Sequence, residues 1–62
     1  MEDNPNYYTV LHGVGVYIVA LMVYDTNEEA YGMAQSIGPY KTKEAADAKA
    51  QKLGRDRHVE IR

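Results

Sequence analysis

Before residue 40 the chain offers strand-like stretches, one of them apolar on both alternate sets, and only after Thr42 does the apolar spacing become helical. Strands are therefore expected first and one helix late. The stretch Val16 to Tyr24 is nine residues without a charge, mostly β-branched or aromatic, and reads as the central strand. Alternation separates Val16, Ile18, Ala20, Met22 and Tyr24 from Tyr17, Val19, Leu21 and Val23, and both sets are apolar. Such a strand asks for cover on two sides, whereas the chain offers one convincing helix.

Tyr7 to His12 alternates in the same way, and Gly13-Val14-Gly15 supplies the backbone freedom of a short hairpin loop. A three-residue loop would set His12 opposite Val16, Val10 opposite Ile18 and Tyr8 opposite Ala20. Asp25 to Ala30 is polar; Thr26 and Glu29 match a capping box, but too few residues follow for more than one turn. Tyr31 to Ile37 is the third expected strand, with Tyr31, Met33, Gln35 and Ile37 on one side and the small Gly32, Ala34 and Ser36 on the other. A one-residue slip would reverse that assignment. Gly38-Pro39-Tyr40 should break the strand, Thr42 should cap a helix over Lys43 to Leu53, and Gly54 should end it. The small stripe Ala46, Ala50 and Leu53, with Ala45 nearby, fits the trough of small residues, which places the helix over Leu11, Val19, Leu21 and Val23. His58 to Arg62 alternates again as a short edge strand, with Val59 and Ile61 inward. The expected fold is α+β: a single domain over residues 1–62 in the order β-β-β-α-β, a mostly antiparallel sheet with one helix on one face, and residues 1–6 as a loose leading segment.

At 62 residues, such a domain buries only about 60% of its unfolded surface and needs help to be stable. Cysteine is absent, so disulfides and thiolate metal sites are excluded and association with another chain becomes the expected support. The acidic, polar start lacks the basic character of a signal peptide, and the longest apolar run is too short to span a bilayer. A cytoplasmic protein, bacterial or within a phage-infected cell, is expected. The net charge of −2 hides an asymmetry, because residues 1–40 hold five acids and no Lys or Arg, while residues 41–62 hold seven basic and four acidic residues. Only that last third could meet phosphates, through Lys41, Lys43, Lys49, Lys52, Arg55 and Arg57.

The junction Gly38-Pro39-Tyr40-Lys41-Thr42-Lys43-Glu44-Ala45-Ala46 resembles the strand-to-helix junction of two families, the SPOR peptidoglycan-binding repeats and the arm-binding amino-terminal domains of phage-type tyrosine recombinases. The resemblance covers nine of the 62 residues. The first implies a βα unit repeated around one sheet, and this chain has one helix. The second implies three strands and a helix that read DNA through the sheet, although the three expected strands here hold no Lys or Arg.

Catalytic chemistry finds little to stand on. His12 and His58 lie on different expected strands without a carboxylate or cysteine at ligand spacing, Ser36 is the one serine, and Glu28 and Glu29 are neighbours in a turn. Gly13-x-Gly15 lies between strands and precedes no helix, so it reads as a turn and not as a phosphate loop. No enzyme activity, metal or cofactor is expected. The chain has six tyrosines and neither Phe nor Trp, a choice that suits interfaces, since tyrosine buries a ring while keeping a polar tip. The expected interface on the uncovered face is Tyr8, Val10, His12, Ile18, Met22, Tyr24, Tyr31, Met33 and Ile37. These readings converge on a non-enzymatic interaction module, a homo-oligomer with a dimer as first choice, acting as a phage or bacterial accessory or inhibitory protein on a protein or small ligand. A DNA-binding accessory domain using the basic residues is the alternative, and sequestration of a nucleotide-like ligand between subunits a further one.

Overall fold

The computed structural model describes residues 4–62, so the expected loose segment lies partly outside the described residues, and residues 4–6 carry no regular structure. Strands β1 (Tyr7–His12), β2 (Tyr17–Asp25) and β3 (Ala30–Tyr40) are followed by helix α1 (Lys43–Arg57) and strand β4 (Glu60–Ile61). The sheet order is β3-β2-β1-β4, antiparallel except where β4 runs parallel to β1. One small α+β domain in the order β-β-β-α-β results, with a single helix against one sheet face.

The β1–β2 hairpin corrects the expected register. Its loop is Gly13 to Val16, closed by the Gly13 N–H donating to the Val16 carbonyl at 2.9 Å, with Gly15 at φ +71° where a side chain would be strained. The extra loop residue pairs His12 with Tyr17, Val10 with Val19 and Tyr8 with Leu21. Because side chains alternate with period two, this slip carries Tyr8, Val10 and His12 to the helix side and turns Leu11 to the open side. Tyr8 and Val19 are the largest fully buried side chains, and with Ala46 and Ala50 they form the core. Tyr8 keeps its polar tip satisfied there, since Arg57 Nη1 donates to its Oη at 3.1 Å. Of the residues expected under the helix, Val19 and Leu21 pack there, whereas Leu11 is 41% exposed.

Strand β3 is longer than expected and does not break at Gly38. Between the pairs Leu21–Gln35 and Met22–Met33 the extra residue Ala34 makes a bulge, and a second extra residue falls between Ile37 and Tyr40. The first bulge interrupts the alternation that had put Ile37 beside Met33, so Ile37 packs on the helix side and the row of small residues is not continuous. The β2–β3 turn is organised by Asp25, whose Oδ1 accepts from the Asn27 N–H at 2.8 Å and the Glu28 N–H at 3.4 Å, and no helix forms from Thr26.

Thr42 caps α1 as expected: its backbone is extended and its Oγ1 accepts from the Ala45 N–H at 3.2 Å. Ala46, Ala50 and Gly54, four residues apart, are the buried row. Gly54 is therefore not the stop. The helix runs on to Arg57, and His58 in the left-handed conformation (φ 57°) turns the chain, with the Val59 N–H donating to the Gly54 carbonyl at 2.9 Å. His58 is thus a cap and not part of the last strand. A methyl at Gly54 would come within 2.5 Å of Ile61 Cδ1 and 2.8 Å of the Val59 carbonyl, so glycine here serves the close return of the chain.

Candidate interaction surface

The sheet face opposite α1 is built by register. Tyr7, Met22 and Met33 form one row across three strands, Leu11 stands beside Ile18, and Tyr24 stands beside Tyr31. Between these rows lies Ala20, buried although no helix covers it, next to Thr9 and Ser36. The face is apolar because no charge occurs in β1 or in β2 before Asp25. Met33 is 53% exposed, while Ile18, Met22, Tyr24 and Tyr31 are half-buried among their neighbours.

At one end the tyrosines interlock. The Tyr31 ring lies 4.9 Å from that of Tyr7 and 5.3 Å from that of Tyr24, both edge-to-face, and its Oη donates to the Pro5 carbonyl at 3.0 Å. Arg62 places its guanidinium 4.5 Å above the Tyr7 ring, and its Nε donates to Glu60 Oε2 at 2.8 Å. The guanidinium is a cation at any working pH, and its hydrogen bond to Glu60 raises its pKa further. Edge-to-face pairs contribute about 0.5–1.5 kcal/mol each beyond burial, enough to hold this end as one platform. It is an aromatic and cationic rim beside an uncharged centre.

Of the expected interface residues, Ile18, Met22, Tyr24, Tyr31 and Met33 share this face. Tyr8, Val10 and Ile37 lie in or against the core under the helix, and His12 stacks on Tyr17 at a centroid distance of 4.4 Å on the helix side. Thr9 and Leu11 stand opposite Ala20 and Ile18, where Tyr8 and Val10 were expected, and Tyr7 comes opposite Met22, a shift that follows from the loop being one residue longer. Arg62 was missed because a terminal charged residue shows no pattern; only the parallel pairing of β4 to β1 brings it to Tyr7.

The basic residues expected for DNA are mixed with acids along α1. Lys43 Nζ meets Asp47 Oδ2 at 2.8 Å and Lys52 Nζ meets Asp56 Oδ2 at 2.9 Å, both at helical i, i+4 spacing. The Lys43 pKa is raised by its hydrogen bond to Asp47, and that of Asp56 is lowered by its hydrogen bond to Lys52. Arg57 is engaged with Tyr8, which leaves Lys41, Lys49 and Arg55 outside any ion pair among the described residues. Among the described residues no three His, Asp or Glu side chains gather as a metal site, and no helix is long and apolar enough to cross a membrane.

The fold and this face define a small α+β chain with one helix-covered and one uncovered apolar sheet face. Comparison with known proteins finds no matching family model, no matching curated protein and no matching solved structure.

Proposed function

We propose that the protein is a non-enzymatic interaction module, a homo-oligomer in which the uncovered faces of two chains pack together, and that it acts by binding as an accessory or inhibitory protein on a protein or small ligand. The observation that carries this reading is the uncharged apolar face centred on Ile18, Met22 and Met33. Each of these side chains contributes about 1.5–3 kcal/mol when fully buried, and three together are a large share of the ~5–15 kcal/mol by which a domain is stable. The chain is a slab of 38 × 25 × 14 Å, whose broad side is of the order of the ~800 Å² each partner gives to a standard interface.

A second copy is the occupant that the charges favour. Two uncharged centres meet without repulsion, and the rim of each chain offers both signs, Arg62 and Glu60, so that a two-fold axis can set unlike charges against one another. The Gly38 to Ala46 junction, with its likeness to phage and bacterial domains, supports work inside a bacterial or phage-infected cell as part of the same proposal. Sedimentation equilibrium of the wild type and of Met22→Glu, with circular dichroism on both, tests it. The wild type should associate at micromolar concentration and Met22→Glu should lose that contact. A wild type that stays monomeric at high micromolar concentration, with Met22→Glu equally folded and stable, would sink the proposal.

A further inference from the structure

The two edges of the sheet are not alike. On one side lies β4, only two residues long and flanked by the Arg62–Glu60 pair, a short charged edge of the kind that discourages further pairing. On the other side lies β3, the longest strand at 11 residues, with the sequence Ala-Tyr-Gly-Met-Ala-Gln-Ser-Ile-Gly-Pro-Tyr and no charge anywhere in it. Every residue from Gly32 to Ser36 is exposed, and among the described residues no backbone hydrogen bond reaches β3 from any element other than β2. N–H and C=O groups, their regular spacing interrupted by the bulges at Ala34 and before Tyr40, are thus presented to solvent along an uncharged strand whose one proline, Pro39, lies near its end.

We infer that the free edge of β3 pairs with β3 of a second copy, antiparallel, so that two sheets join into one of eight strands. The occupant follows from symmetry and from the other edge. An antiparallel pair of identical strands is related by a two-fold axis, each strand supplying the groups the other lacks, and an uncharged strand opposes its own copy without like charges meeting. Because the two-fold contact uses the β3 edge of both copies, the pairing closes on itself and does not propagate into a fibre. The axis of this contact stands perpendicular to the sheet and keeps both open faces on the same side. It is separate from the face-to-face contact proposed above, whose axis lies in the plane of the sheet. Where both contacts form and the two axes intersect at right angles, they generate a closed tetramer.

The test uses Gly32→Lys with Gln35→Lys. Both residues are exposed on the helix side of β3, opposite Val23 and Leu21, and a Cβ at Gly32 meets nothing within 4 Å, so the lysines burden the edge and leave the open face untouched. By sedimentation the wild type should have twice the mass of this variant, and Met22→Glu should still dimerise through the edge. If the open-face reading alone fails, the wild type is a dimer, Met22→Glu remains a dimer and the lysine variant is a monomer. A lysine variant with the wild-type mass overturns the edge pairing. Should the variant not fold, hydrogen exchange on the wild type decides: amides of Gly32 to Ser36 that point away from β2 should gain protection of tenfold or more as concentration rises. Free exchange of those amides at every concentration overturns the proposal and leaves the edge to solvent or to a different protein.

Discussion

Gly54 shows how a single residue can carry opposite meanings in pattern and in packing. Within a helix, glycine is about 1 kcal/mol less favourable than alanine, so an isolated α1 would gain from Gly54→Ala. In the folded chain that methyl meets Ile61 and the Val59 carbonyl, the second of which is backbone and cannot rotate away. Overpacking of this kind costs about 1–3 kcal/mol, which equals or exceeds the helical gain. Gly54→Ala is therefore expected to destabilise by roughly 1 kcal/mol and to loosen β4. Urea unfolding of both proteins checks this, and a midpoint raised by the substitution would show that β4 moves aside without loss.

At the scale of elements, α1 is the part most legible in the sequence. Thr42 and the acidic Glu44 in its first turn are local signals, and the helix starts where they place it, whereas its end lies at Arg57, past the Gly54 expected to stop it. Thr42→Ala should cost about 1 kcal/mol through the lost Oγ1 bond to the Ala45 N–H, read as a lower thermal midpoint, with Thr42→Ser restoring most of it. The same helix speaks to the DNA alternative. With Lys43 and Lys52 in ion pairs, few cations remain to displace counterions, so an electrophoretic mobility shift at low salt should show at most weak duplex binding. Tight, salt-sensitive binding lost on Lys49→Glu with Lys52→Glu would favour DNA. β3 was less legible, because bulges at Ala34 and before Tyr40 leave no trace in period-two alternation until a partner strand counts the residues.

For the whole molecule, stability and association should be one property. With one helix on a four-stranded sheet, the fully buried large side chains among the described residues are only Tyr8 and Val19, so burial in a partner weighs heavily. The thermal midpoint of the wild type should rise with protein concentration, as mass action requires when only the folded chain associates. Tyr17→Glu, on the helix side, should lower the midpoint at all concentrations without removing that dependence, whereas Met22→Glu should weaken the dependence itself. Equal concentration dependence in Met22→Glu and wild type would leave the open face without a role in assembly.

The order and type of the elements, the cap at Thr42, the uncharged central strand with two apolar faces and the membership of Ile18, Met22, Tyr24, Tyr31 and Met33 in one face were determined by the sequence. Which face of β1 turns inward was decided only by the tertiary structure. Where both sets of alternate residues are apolar, a one-residue slip changes no local preference, so a three-residue and a four-residue hairpin loop look alike in the pattern. The choice falls to packing. Under the helix the ring of Tyr8 fills the space that the small Ala46 and Ala50 leave, and its hydroxyl finds Arg57, 49 positions away, while the smaller Leu11 is left on the open side.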